Sequence, residues 1–291
     1  MKTDTAKGHV VPVAVVCLII LVLWYLAAIP MNAVVVQPKI AAAGGGLYNT
    51  LAFSWNHERP VLPAPHQVAQ EIWKSVFMVA PWKVKSLIYH LWITLSSTLV
   101  GFVLGAWLGI TLAIGIVHVS SLEKSLMPWI VASQTIPILA IAPMLIVVLG
   151  KTGLPDIFTK ASISTYLCFF PVAIGMVKGL RTPDILQLDL MRTYNASAAQ
   201  ILWKLRIPAA LPFLFASLKV SVAIALTGAI VAELPTGAVS GIGARLLQGS
   251  YYGQTLQIWA ALFVAAFAAA SLVWMLGTFE RMSWKRMGVK L

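Results

Sequence analysis

The chain has 291 residues, of which 59% are hydrophobic and only 10% charged, with a mean hydropathy of +0.87. Soluble domains carry about 25% charged residues, so an ordinary soluble protein is excluded. The balance of 21 Lys+Arg against 9 Asp+Glu gives a net charge of +12, but the basic residues punctuate long apolar runs instead of clustering, which argues against a nucleic-acid binder. Residues 8–38, 86–122, 125–150, 161–177 and 246–279 contain no Asp, Glu, Lys or Arg. Most of these runs exceed the ~20 residues that span a bilayer.

In chain order, apolar length and flanking charge predict six spans, at about 10–29, 87–117, 127–149, 157–177, 213–234 and 255–277. All should be helices, because hydrocarbon offers no water to backbone amides and the runs lack the alternation of a barrel strand. The predicted fold class is therefore all-α and polytopic. The first run continues through LIILVLWYLAAIP without a small-residue cleavage site, so it reads as a retained helix ending near Pro30. Cys17 and Cys168 lie inside apolar runs and imply no disulfide framework.

The stretch after the first span is too polar to cross. Gly44, Gly45 and Gly46, then Pro60, Pro63 and Pro65, predict turns and loop. One short amphipathic helix is expected after Pro65, where Val68, Ile72 and Val76 repeat every four residues beside Trp73 and Phe77. It suits either the outer membrane face or packing on the bundle. In the second predicted span Gly101, Gly105 and Gly109 form a doubled G-x-x-x-G, a stripe for close backbone approach within the subunit or against a partner. Pro137 and Pro143 interrupt the third, as in a helix bent around a polar path or a kink kept for packing.

Groups able to carry catalysis are few. His57-Glu58 begins like H-E-x-x-H but Val61 replaces the second histidine, and G-x-S-x-G, C-x-x-C and G-x-x-x-x-G-K-[ST] do not occur. The chain therefore reads as a non-enzyme with no nucleotide-binding loop and no metal set. Neutral polar residues in the spans, among them Gln134, Thr135 and Thr227, could line a polar path or bond helix to helix. Lys219 and Glu233 reach toward opposite interfaces, with no partner evident in the sequence.

Residues 178–212 read KGLRTPDILQLDLMRTYNASAAQILWKLRIPAALP. Pro183 and Asp184 should open a short helix, Asn195 interrupt it, Ser197 cap a second, and Pro208 and Pro212 bend the chain toward the fifth span. Leu190, Met191, Tyr194, Ile201, Leu202 and Trp203 exceed the apolar content a solvated loop needs. They suggest a partner surface, or burial on the subunit's own helix ends. The distribution of Lys and Arg favours both termini, and this segment, in the cytoplasm.

This segment resembles the coupling loop of the membrane subunit of binding-protein-dependent ABC importers, E-A-A-x3-G-x9-I-x-L-P. The pattern falls on Asp189, Leu190, Met191, Asn195, Leu205, Ile207 and Pro208, with spacing kept and Leu-Met replacing Ala-Ala. Asn in place of Gly is physically sensible, since Asn tolerates a left-handed backbone. The likeness extends through LPAP, the glycine-rich span, the two-proline span, GLRTPD, PAALPFLFASLKV and GIGARLL, and is greatest to the nitrate, sulfonate and taurine branch.

The resemblance implies an ABC importer permease fold organised as residues 1–30, a tail and first span; 31–86, a periplasmic segment; and 87–291, a five-helix permease core with coupling loop 178–212. It implies residence in a bacterial inner membrane, cytoplasmic ABC ATPase partners that hydrolyse the ATP, and a periplasmic binding protein. It also implies a second permease copy or paralogue, surrounding lipid, and no bound cofactor. The cargo would be a small polar solute of nitrate, sulfonate, taurine or pyrimidine type. Glu233 joins Gln134, Thr135 and Thr227 as expected path residues. The rival reading is an ion-coupled secondary transporter, which would call for inverted repeats and midplane charges that the sequence does not show.

Overall fold

The computed structural model describes residues 4–235 and 240–286. The described residues form helices joined by short turns, with no strand among them. They divide into two compact units. One holds the described residues up to Tyr89 with Arg245–Val264, and the other those of His90–Ala244 and from Ala265 onward.

The first unit is organised by α1 (Asp4–Ala42), a 39-residue helix about 58 Å long. It runs on through Pro30, past the predicted end, because neighbouring segments satisfy its projecting part. Asn32 is fully buried, and its side-chain amide donates to the carbonyls of Ser54 and Leu62 at 2.9 and 2.8 Å. Its side-chain carbonyl accepts from the amides of Val61 and Leu62 at 2.7 and 3.1 Å. A left-handed Gly44 (φ 85°) ends α1, with Gly45 N–H bonding Ile40 O and Gly44 N–H bonding Ala41 O, a Schellman closure.

Two short helices follow, where the sequence predicted one. The α2 helix (Leu47–Trp55) precedes α3 (Pro65–Trp73), which begins on a proline and widens into a π turn at Lys74–Met78. Val68 is buried while Trp73 and Phe77 are exposed and lie 4.6 Å apart, so α3 is amphipathic as expected. The outer part of α11 (Ile242–Tyr251) and the start of α12 (Thr255–Arg286) complete this unit. Here Trp24 packs on Trp259 and Phe263, and the Thr255 hydroxyl donates to Pro60 O.

The second unit is built on α4 (Leu87–His118), α7 (Asp156–Leu180) and α10 (Ile207–Glu233). Lipid tails are as apolar as leucine, so close packing rather than burial from water holds such helices together. The glycine stripe provides it within the subunit. A Cβ on Gly101 would stand 2.7 Å from Ala161 O, one on Gly105 3.0 Å from Thr165 O, and one on Gly109 2.6 Å from Phe169 O. The partner numbers climb together, so α4 and α7 run in the same direction. On the other face of α7 the order reverses. Ser164 meets Gly228, the Ser221 hydroxyl bonds Cys168 O, Gly175 meets Ser217 and Gly179 meets Ala210, making α10 antiparallel to α7.

Between α4 and α7 lie α5 (Ser120–Ser133) and α6 (Ile138–Gly150), bent by 101° where the third span was predicted. Each half is about 20 Å long, too short to cross alone. Since α4 and α7 are parallel, a membrane crossed by both requires this pair to return the chain from the end of α4 to the start of α7 as one broken span. Five continuous helices are long and apolar enough to cross, six crossings with the broken one.

Candidate functional site

The predicted coupling residues and one predicted path residue, Gln134, fall in two regions of the second unit. The first is the 181–206 connection. Asp184 caps α8 (Ile185–Thr193), its carboxylate accepting from Ile185 N–H at 2.7 Å while Gln187 returns a bond to the Asp184 amide. Ser197 and Gln200 form the same reciprocal box at the start of α9 (Ala198–Ile201).

Between them Asn195 has φ 53° and is alone among the described non-glycine residues in taking a positive φ. Ala196 N–H bonds Met191 O at 3.0 Å and Asn195 N–H bonds Arg192 O at 2.8 Å. This is a Schellman closure with asparagine in the glycine role. The left-handed turn expected at Asn195 is therefore present and turns α8 back on α9.

Of the other coupling candidates, Asp189 pairs with Arg192 at 3.0 Å on the surface, Leu190 is exposed, and Met191 and Leu205 are half-buried. Ile207 and Leu202 pack onto a core of Ala113, Ile116, Ile130, Met176, Val177, Leu180 and Ala210, contributed by α4, α5, α7 and α10. Ile185, Leu186, Tyr194 and Trp203 present their side chains to the exterior. The Arg181–Glu123 pair, 2.7 Å apart, sits where the segment leaves α7 and where α5 begins.

Pro208 and Pro212 do not end the helix: α9, a π turn at Leu202–Arg206 and α10 follow one another without a break. Pro208 stands in the first turn of α10, and the widened turn before it relieves the clash that a proline ring makes with the carbonyl four residues back.

The second region is the break in the third span. A cavity of about 310 Å³ is lined by Ser133, Gln134, Ile136, Tyr166, Leu167, Phe170 and Ile224. Breaking the helix frees carbonyls at the end of α5, and the Tyr166 hydroxyl donates to Ser133 O. Tyr166 lies about 15 Å along the 25-residue α7, near its middle.

Only Gln134 of the four path candidates lines this cavity. Thr135 and Thr227 are exposed and return their hydroxyls to Ala132 O and Ala223 O, Thr227 lying one turn beyond Ile224. Glu233 is far from it and fully buried at the other end of α10. The Thr94 hydroxyl donates to its Oε1 at 2.8 Å and Gly243 N–H to its Oε2 at 2.7 Å. Thr94 Oγ accepts from Ile242 N–H at 2.8 Å, and His90 Nδ1 accepts from Gly241 N–H at 3.0 Å. Glu233 thus fastens the end of α10 and the start of α11 to α4.

Lys219 also has a partner the sequence did not reveal, Glu280 on α12. Lys160, buried on α7, pairs with Asp156 at 2.7 Å. Intramembrane charge is costly, and these two lysines are paired.

Residues 101–288 match the family described as the binding-protein-dependent transport system inner membrane component. The chain is 30% identical over 204 residues to a probable ABC transporter permease protein of Haemophilus influenzae, covering 70% of this chain and 78% of that one. It is 31% identical over 222 residues to the riboflavin transport system permease protein RibX of Chloroflexus aurantiacus, covering 76% and 79%. Among solved structures it is similar in fold to an amino acid ABC transporter crystallised with histidines, with a TM-score of 0.52 and 18% identity over 69% of this chain and 93% of that one. The matched region runs from the glycine stripe of α4 through the capped 181–206 connection to α12, and the chain belongs to the binding-protein-dependent transport system inner membrane components, the multi-pass permease subunits of ABC transporters.

Proposed function

We propose that this chain forms half of the substrate path of an ATP-driven importer, with the 181–206 connection on the cytoplasmic side as the surface that docks an ABC ATPase. The carrying observation is the connection itself. Two capped helices meet at a left-handed Asn195, expose Leu190, Tyr194 and Trp203, and anchor Leu202 and Ile207 in the core shared by four helices. A push on the exposed face reaches the bundle through those two anchors. The Leu190-Met191 pair enlarges the face relative to the usual Ala-Ala, so the cognate ATPase needs a matching pocket.

In this reading ATP is hydrolysed by the partner, a periplasmic binding protein delivers the solute, and the path closes around a second copy or a paralogue. The cargo is a small polar solute of nitrate, sulfonate, taurine or pyrimidine type. A relative named for riboflavin transport supports a small organic molecule as cargo. Alternating access requires that nucleotide and ligand states bind the inward and outward forms with different free energies.

The test is gentle purification of the tagged chain from its native membrane with mass spectrometry of bound proteins. Stoichiometric recovery of an ABC ATPase is expected. Recovery of the chain alone, repeated under crosslinking, would remove the ATP-driven reading.

A further inference from the structure

The first unit contains a cavity that the importer reading does not use. It has a volume of about 370 Å³ and is lined by Glu71, Lys74, Ser75, Val79, Lys85, Arg245, Gln254 and Gln257. That volume lies within the range of small-molecule sites, roughly 300–1,000 Å³.

Its chemistry is one-sided. Three cations face one carboxylate, two side-chain amides add further donors, and the Ser75 hydroxyl is already committed to Glu71 O at 2.6 Å. Among the described residues, no carboxylate lies within 4.0 Å of Lys74, Lys85 or Arg245. The Nε of Arg245 is buried without a hydrogen-bond partner. A buried donor left unmade costs about 1–3 kcal/mol and more when charged, so the site is short of an acceptor. Burial pushes the Arg245 guanidinium below its usual value and Glu71 opposes this, the pattern of a cation that is partly desolvated and incompletely neutralised.

We propose that this cavity is a binding site for a small organic anion, whose carboxylate or sulfonate oxygens accept from the Arg245 guanidinium and the Lys74 and Lys85 ammonium groups. An oxyanion supplies the missing acceptor, and arginine's planar fork suits it. Gln254 and Gln257 are left to bond the rest of the molecule. A lipid headgroup fits less well. The aromatic residues suited to the membrane interface, Trp73 and Phe77, lie on the face of α3 and its π turn away from Glu71 and Ser75. The volume also exceeds what a single acidic side chain would fill.

Lys85 stands just before α4, and Arg245 lies in α11. The periplasmic address of the site rests on the importer reading; its anion chemistry does not.

The test is calorimetric titration of the purified full-length chain in phosphatidylcholine nanodiscs with methanesulfonate, then acetate, at constant ionic strength, with choline chloride as the cation control. Saturable binding of the anions and none of choline is expected. Affinity should fall at least tenfold in R245Q and in the K74Q/K85Q double variant, whose lysines are exposed. It should be unchanged in K83Q, which removes a neighbouring lysine outside the cavity. Absence of saturable anion binding by the wild type, or equal affinity in wild type and K74Q/K85Q, would overturn the proposal. The readout needs no ATPase, so its failure would leave the importer reading intact, and failure to recover an ATPase would leave the anion site intact.

Discussion

Thr94 on α4 and Glu233 at the end of α10 are 139 residues apart in sequence and share a 2.8 Å hydrogen bond in a fully buried setting. The threonine hydroxyl acts twice, donating to the carboxylate and accepting from Ile242 N–H. One side chain therefore connects the end of α10 with the start of α11.

Replacing Thr94 with valine keeps the shape and removes both bonds. Leaving buried groups unsatisfied costs about 1–3 kcal/mol, so T94V should unfold at a clearly lower temperature in detergent, while T94S, which retains the hydroxyl, should stay close to wild type. Equal midpoints for the two variants would show that the hydroxyl does not carry the tie.

Asn195 gives a prediction about coupling. A β-branched residue resists φ 53°, and a left-handed backbone costs L-residues about 1–2 kcal/mol. N195V should therefore lower the ratio of formed to unformed connection by roughly 5–30-fold, seen as less ATPase co-purified at limiting concentration. N195G should behave like wild type. Loss of ATPase in both variants would place the effect in the asparagine side chain and not in the backbone.

The sequence carried these two sites unequally. The coupling segment was legible because its signals are local: Asp184 and Ser197 are caps followed three residues later by glutamine, and Asn195 sits between them. The π turn at Leu202–Arg206 that precedes Pro208 was not legible, since no residue pattern announces such a turn. The hydrogen bonds of Glu233 were not legible because its partners Thr94 and Gly243 become neighbours only through tertiary packing.

Tyr166 was missed for the same reason. An aromatic residue inside an apolar run looks ordinary until its hydroxyl is seen on Ser133 O, 33 residues away. Among the elements, α2 went unpredicted because Gly44, Gly45 and Gly46 beside it read as turns and loop. The glycines of α4 were legible as a packing stripe, but only the structure shows that the stripe is filled by α7.

That stripe can be tested by comparing two glycines of α4. A methyl group on Gly101 would meet a backbone oxygen at 2.7 Å, whereas one on Gly115 would meet only the flexible tip of Leu122 at 3.3 Å. Overpacking costs about 1–3 kcal/mol, so G101A should unfold at lower SDS fraction than wild type and G115A should not. The opposite order would mean that α4 does not dock on α7 through this face.

The parallel course of α4 and α7 makes a topological prediction. If the bent α5–α6 pair crosses the membrane once, Ser121 at its start and Thr152 at its end lie on opposite sides, although each half is about 20 Å long. Both positions are exposed, so S121C and T152C, made in a background where the exposed Cys17 is replaced by alanine, should be labelled by an impermeant maleimide from opposite faces of sealed vesicles. Labelling from the same face would make the pair a re-entrant loop. The 181–206 connection would then move to the other side of the membrane, where no ATPase could dock, so the broken helix and the coupling assignment stand or fall on one measurement.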